Sequence, residues 1–375
     1  MVTGRDKTLI TTSTRDRDSM RAGLERWLAG VLPTGSHPSV SDLVAPANGL
    51  SSETVLFDVG WTTDGQAREE ALVARVAPEP SAVPVFPTYD LGREFETMRR
   101  VAAHSSVPVP ETLWYEPDPS ALGTPFFVMR RIDGVVPPDN VPYCLGPSWL
   151  SDAAGAEQRR LQDETVRTLA ALHGIPDAAE IFGYLDPGGA GSPLRRHVEA
   201  AKRYHKWVMA DTPAGVRSPL IERAFGWLED HWPATESAPT ISWGDARIGN
   251  VLYHDFTPVA VLDWEMASIA PPEVDLGWMV FWHRFFQDLA DTYGLPGMPD
   301  FMRKDDVIDT YRAAGGTDPT DVEFFVTYAA VRSATVLWRT TERQVHFGDV
   351  ERPSDPDDMI VHRSSLERML DGTYW

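Results

Sequence analysis

Cysteine occurs once in the 375 residues, at Cys144. A single thiol closes no disulfide within the chain and builds no thiolate metal cluster. Positive charge is scarce as well. Lys and Arg total 34 against 55 Asp and Glu, a formal net charge of −21, and no Lys/Arg-rich run appears. Nucleic-acid binding needs a basic face to neutralise phosphates, so that class of function is excluded. Long apolar runs are also missing. The most apolar stretch, residues 276–282, falls far short of the roughly 20 residues that span a bilayer. Residues 1–21 are charged and hydroxyl-rich, without the apolar segment of a secretory signal. The 10 histidines are scattered and nowhere take the spacing of zinc ligands. These absences set the expectation of a cytoplasmic protein with a solvated acidic surface and neither a membrane nor a nucleic-acid partner.

What is present changes character along the chain. Residues 1–17 read as a polar, mobile tail. Asp18 can cap a helix in which Met20, Leu24, Trp27, Leu28 and Val31 recur at helical spacing until Gly30 and Pro33. Residues 54–59 and 70–76 are β-rich runs with Asp64-Gly65 between them, a hairpin signal. After a proline-rich loop, a helix starting at Asp90 carries Leu91, Phe95, Met98 and Val101 on one side. Two more strands come next, around residues 112–115 and 125–130. Residues 133–155 are rich in Pro and Gly and read as a connector; beyond them the chain is mostly helical. There is no internal repeat. The spacing predicts an α+β fold with a tail and helix over 1–40, a small β-rich lobe over 41–132 and a larger helical lobe over 133–375.

The informative segment begins with Trp243-Gly244-Asp245-Ala246-Arg247-Ile248-Gly249-Asn250 and extends to Asp275. Two short apolar strands, around residues 251–253 and 259–262, separate Asn250 from Asp263. A hairpin brings the residue before its first strand beside the residue after its second. Asn250 and Asp263 are therefore expected side by side, both offering hard oxygen, which suits Mg²⁺ shared with phosphate oxygens. Asp245, five positions before Asn250, is placed to take a proton from a hydroxyl.

The segment resembles the aminoglycoside/choline kinase family of phosphotransferases through Gly244-Asp245, Asn250 and Leu262-Asp263-Trp264-Glu265. Gly-Asp-x-Arg-x-Gly-Asn is most similar to the kinase-like domains fused to acyl-CoA dehydrogenases. The resemblance runs from about Pro46 to Asp275 and implies a protein-kinase-like fold. It also implies transfer of the ATP γ-phosphoryl group, with Mg²⁺, to a hydroxyl of a small molecule. Asp245 would be the base, with Asn250 and Asp263 as metal ligands. The family's His before Gly-Asp is Trp243 here, whose indole can pack and offer one N–H. Arg247 reads either as a phosphate contact or as a surface or backbone-capping group. Asp275 reads as an N-cap and loop anchor, His173 as a structural group, and Glu265 as the end of a turn or a second metal contact.

In the β-rich lobe, Gly49, Ser51 and Ser52 precede the first long strand, where backbone amides and hydroxyls can cover phosphate; a plain turn is the other reading. Arg75 stands where the family carries a phosphate-holding cation. Two glutamates compete to face it. Glu94 shares its helix side with Leu91, Met98 and Val101, whereas Glu96 faces Arg99 and Arg100 at ion-pair spacing, so Glu94 is the expected partner. Met129 and Arg131 resemble the hinge whose main chain binds adenine. An acidic or acyl acceptor would need arginines such as Arg284, Arg332 or Arg339. The alternative is a nucleotide-binding pseudokinase without transfer activity; the joint presence of Asp245, Asn250 and Asp263 argues for transfer.

Overall fold

Asp16, rather than Asp18, starts the first helix, α1 (Arg17–Val31), because its carboxylate accepts from the Ser19 amide (2.9 Å). That oxygen satisfies an N–H with no partner inside the helix, while Asp18 already sits in the first turn. Gly30 stays helical, and the helix ends at Val31 with Leu32 as its C-cap, just before Pro33. The computed structural model describes residues 15–45, 53–139, 141–213 and 215–375. Gly49, Ser51 and Ser52 lie outside the described residues, as do residues 1–14 of the expected tail.

The chain divides into two compact units. One comprises residues 1–99, 110–132 and 340–351, the other residues 100–109, 133–339 and 352–375. The first is built on an antiparallel sheet of β1 (Ser39–Val40), β2 (Glu53–Thr63), β3 (Gln66–Val76), β4 (Thr112–Glu116) and β5 (Phe126–Arg130), in the order β1-β2-β3-β5-β4. Helix α2 (Leu91–His104) is inserted between β3 and β4. Asp64 and Gly65 both take left-handed backbone (φ +52° and +72°), the two-residue turn that matches strand twist and fixes Thr63 opposite Gln66. The apolar stripe of α1, Met20, Leu24 and Leu28, is buried with Val55, Phe57, Leu72, Ala74 and Phe126 from the sheet. Each such side chain contributes about 1.5–3 kcal/mol by leaving water.

The second unit is mostly helical. Its helices are α3 (Gly155–His173), α4 (Ala178–Ile181), α5 (Pro193–Asp211), α6 (Pro219–Asp230), α7 (Glu273–Thr292), α8 (Lys304–Ala313), α9 (Val322–Phe347, whose last residues belong to the first unit) and α10 (Arg363–Leu370). Both α5 and α6 begin with Ser-Pro, the hydroxyl capping an amide three residues on and Pro filling the first turn where no N–H is needed. Four short strands hold the functional segment. β6 (Thr240–Ser242) pairs with β9 (Ser268–Ala270), and β7 (Val251–His254) pairs with β8 (Thr257–Val261). Residues at helical spacing are buried: Leu161, Thr165, Leu169 and Leu172 on α3, and Phe324, Tyr328, Val331, Thr335 and Trp338 on α9.

Candidate active site

The loop from Trp243 to Asn250 leaves β6 and enters β7. Gly244 takes φ +91°, and a Cβ there would collide with the Met266 carbonyl, so only glycine fits. The loop is tied down by Asp275, which is fully buried in the first turn of α7. Its oxygens accept from Ser242 Oγ (2.7 Å), the Trp243 amide (2.7 Å), the Gly244 amide (2.9 Å) and His173 Nε2 (3.0 Å). Burial alone would raise this carboxyl's pKa; the His173 contact and the other donors outweigh it and leave it below the usual carboxylate value. Asp275 thus anchors the loop but does not cap its own helix, whose N-cap is Pro272. His173 is satisfied on both ring nitrogens, with Nδ1 on Tyr311 Oη (2.9 Å).

Gly244→Ala is expected to destabilise the protein by about 1–3 kcal/mol through backbone strain, with further cost from displacing residue 266. Thermal unfolding measures this; an unchanged midpoint would show that the loop tolerates a side chain there.

Asp245 is half-buried and its carboxylate is held by three donors. Trp278 Nε1 donates to Oδ1 (2.6 Å), Asn250 Nδ2 donates to Oδ2 (2.6 Å), and Arg247 Nε reaches both oxygens (3.1 Å each). Arg247 also pairs with Asp139, and its guanidinium lies 5.3 Å from the Trp282 ring centre. Burial disfavours the Arg247 cation, and Asp245 and Asp139 more than offset it, so its pKa lies above the usual arginine value. Gly249 lies beneath this pair: a Cβ there would strike Asp139 Oδ2 and Arg247 Nη1. Arg247 is therefore neither a solvent-facing nor a backbone-capping group; it is shared between two carboxylates.

The β7–β8 hairpin turns at Asp255 and Phe256 (φ +47° and +59°) and sets Val251 opposite Val261. Just outside it, the Leu262 amide donates to the Asn250 carbonyl (2.9 Å), which brings Asn250 and the residue after Leu262 to the same end. Asp263 itself takes φ +62°, a conformation in which Asp is tolerated better than most residues. Asn250 spends its amide nitrogen on Asp245, both at the carboxylate and at the main-chain oxygen (3.2 Å), so its side-chain oxygen is the atom left for a cation. An Asn oxygen and an Asp carboxylate at one hairpin end fit a hard divalent ion such as Mg²⁺. Trp243, in the place of the family's His, is buried and its indole donates to the carbonyls of Leu262 (2.9 Å) and Asp263 (3.2 Å). It fixes the backbone from which Asp263 projects.

In the first unit, Arg75 Nη2 lies 3.2 Å from Glu94 Oε1, and both side chains are nearly excluded from water. Glu96 pairs instead with Arg99 (2.9 Å), whose side chain is 65% exposed. Glu94→Gln is expected to weaken nucleotide binding or turnover by more than about tenfold. Glu96→Gln should have little effect, since exposed pairs contribute less than about 1 kcal/mol. Calorimetric titration of both variants checks this, and equal effects would overturn the assignment. Met129 lies within β5, opposite Val73 and Thr112. The Arg131 amide already donates to the Ala71 carbonyl (2.9 Å), and its side chain pairs with Asp58 (2.7 Å). The Arg131 amide is thus already engaged within the sheet.

Two groups around Asp245 have no signal in the sequence. Asp139 lies in the segment that reads as a connector, and Trp278 reads as core; neither carries a motif.

The chain matches the phosphotransferase enzyme family over residues 43–304, well over half its length. Probable acyl-CoA dehydrogenase IBR3 of Arabidopsis thaliana is 24% identical over 321 residues, covering 80% of this chain and 36% of that protein. Human acyl-CoA dehydrogenase family member 11 is 27% identical over 299 residues, covering 76% of this chain and 34% of that one. The chain thus spans about a third of the length of these curated relatives. Among solved structures, a Ralstonia eutropha protein named for the aminoglycoside phosphotransferases superposes with a TM-score of 0.61 at 22% identity, covering 94% of this chain and 96% of that one. Aminoglycoside phosphotransferase APH(4)-Ia, in a ternary complex with AMP-PNP and hygromycin B, gives 0.54 at 16% identity, covering 92% and 98%. The motif around Asp245, the order of strands and helices, and these matches agree: the chain belongs to the phosphotransferase enzyme family and has its protein-kinase-like fold.

Proposed function

We propose that this chain transfers the γ-phosphoryl group of ATP, with Mg²⁺, to a hydroxyl of a small molecule. The observation that carries the reading is the Asp245 carboxylate, oriented by Trp278 and Asn250 at the loop that Asp275 anchors. In the proposed reaction the acceptor oxygen bonds to the γ-phosphorus while the bond to the β,γ-bridging oxygen breaks and ADP departs. The hydroxyl proton passes to Asp245. Asn250 and Asp263 would hold Mg²⁺, which when bound supplies neutralisation of phosphate charge. Arg75, kept in place by Glu94, would engage phosphate through its planar fork. Arg247 sets the charge at Asp245, because its cation is divided between that carboxylate and Asp139. Catalysis of this kind is mostly positioning and electrostatics.

The nucleotide reading is supported by the AMP-PNP complex of the structural neighbour. For the acceptor, the names of the curated relatives favour hydroxyacyl compounds over aminoglycosides as the first class to test. The deciding experiment is ADP formation from Mg²⁺-ATP across hydroxyacyl compounds, sugars, amino alcohols and aminoglycosides. Turnover with one class supports the reading. Tight Mg²⁺-ATP binding with no turnover on any of them would favour the pseudokinase alternative.

A further inference from the structure

Among the arginines on the helices beyond the catalytic loop, Arg284, Arg332 and Arg339 differ in their surroundings. Arg284 pairs with Asp288 (3.4 Å) and is 44% exposed. Arg339 is buried but neutralised by Asp211 (2.6 Å). Arg332, on α9, is only 8% exposed, and among the described residues no carboxylate lies within ion-pair distance of it. Its Nη2 donates a long bond to the Gly244 carbonyl (3.3 Å), and its guanidinium packs over Trp278 (4.6 Å) and Tyr328 (5.8 Å). Its Nη1 is buried with no hydrogen-bond partner.

Aromatic faces and one carbonyl steady a cation without neutralising it. Of the described titratable groups nearby, none makes an ion pair with it. Asp275 already accepts four hydrogen bonds from the loop and His173. His197, bonded to Tyr328 Oη (2.7 Å), is held neutral, its pKa lowered to about 3 first by burial and then by Arg332 itself. The position also matters. Trp278 carries the Arg332 cation on its face and donates from its edge to Asp245. Gly244, whose carbonyl Arg332 touches, immediately precedes Asp245.

Resting on the phosphotransferase reading above, we infer that Arg332 binds an anionic group of the acceptor, a carboxylate or a phosphate, and so directs an acidic alcohol to Asp245. The planar guanidinium fork suits either group. The net charge of −21 would by itself draw cations, so a buried cation that has no ion-pair partner among the described residues, beside the catalytic loop, runs against the trend of the whole molecule.

The test uses the full chain as wild type, Arg332→Gln, the charge-keeping Arg332→Lys, and Arg284→Gln as a control. Four panels are offered with Mg²⁺-ATP: hydroxy acids, alcohol phosphates, uncharged alcohols of matched skeleton, and amino alcohols. Separately, butyrate and inorganic phosphate are titrated calorimetrically into nucleotide-free protein. Wild type should prefer one anionic panel over its uncharged counterpart, and Arg332→Gln should lose about 10²-fold in kcat/KM on that panel. The loss should fall mainly on KM, with Mg²⁺-ATP affinity unchanged. Arg332→Lys should keep the preference in weakened form, and Arg284→Gln should match wild type. Which anionic panel responds separates carboxylate from phosphate. Preference for amino or uncharged alcohols, or equal anion preference in Arg332→Gln, overturns the inference while leaving phosphotransfer standing. If no panel turns over but butyrate or phosphate binding depends on Arg332, the anion site stands and the phosphotransfer reading falls. Absence of both turnover and Arg332-dependent anion binding overturns the inference. Should Arg332→Gln fail to fold, the Arg332→Lys comparison and the wild-type panels still decide it.

Discussion

Asp263→Ala is expected to abolish Mg²⁺-dependent ATP binding while the protein stays folded. The backbone at this position is held independently of the side chain. Trp243 donates to the carbonyls on either side of the Leu262–Asp263 link, and the Leu262 amide pairs with Asn250. Removing the carboxylate therefore leaves the hairpin end in place and leaves Asn250 as one neutral oxygen ligand. A single neutral oxygen holds Mg²⁺ poorly, since the ion gives up its waters reluctantly and is usually held by one or two carboxylates. The affinity for Mg²⁺-ATP should fall by at least about 10²-fold, and metal-free ATP binding should change little. Alanine at φ +62° adds about 1–2 kcal/mol of strain. Asp263→Asn separates that strain from the loss of charge, because Asn tolerates the same backbone. Calorimetric titration with and without Mg²⁺ reads the result. Unchanged Mg²⁺-ATP affinity in both variants would remove Asp263 from the metal site.

The range of the interactions explains why this end of the hairpin was legible in the sequence and its surroundings were not. Asn250 and Asp263 are joined by one short strand–turn–strand, so spacing alone places them together. Glu94 could be separated from Glu96 because one helix face carries Leu91, Met98 and Val101 and the other carries Arg99. Both inferences use periods of two or 3.6 residues, which local sequence states directly. Asp139 meets Arg247 across 108 residues, and Trp278 meets Asp245 across 33. No local period carries such contacts. Gly249 could have hinted at the first, since a glycine at an ordinary φ within a functional loop asks what approaches it so closely. Arg131 shows the reverse case. The motif places it at a hinge, but whether its amide is available depends on the Ala71 carbonyl of a strand far away in sequence. The misplaced cap on α1 is smaller in kind: Asp16 and Asp18 are both good caps by residue type, and only the bond to the Ser19 amide chooses between them.

Asp245→Asn is expected to reduce phosphoryl transfer by about 10²–10⁴-fold, the usual contribution of a positioned general base. The substitution keeps the shape of the side chain and removes its charge and its ability to take a proton. Its local consequences are contained. Oδ1 of an asparagine can still accept from Trp278, while its amide would face Asn250 Nδ2, donor against donor. Asn250 nevertheless keeps its orientation, because Nδ2 also donates to the main-chain carbonyl of residue 245, which the substitution leaves intact. The oxygen available to Mg²⁺ therefore stays on the same side, and Mg²⁺-ATP affinity should change by less than about tenfold. Arg247 loses one of its two carboxylates and keeps Asp139, so its charge remains paired. A variant that transfers poorly yet binds Mg²⁺-ATP normally is the signature of a residue acting on the acceptor. Single-turnover transfer and nucleotide titration, run on both proteins with an acceptor from the screen, provide the measurement. Equal transfer by Asp245→Asn and wild type would remove Asp245 from the role of base. If wild type binds Mg²⁺-ATP, transfers to no acceptor and cannot be told apart from Asp245→Asn, the chain uses nucleotide for conformation rather than chemistry, and the carboxylate that Trp278 and Asn250 orient serves only to hold the loop.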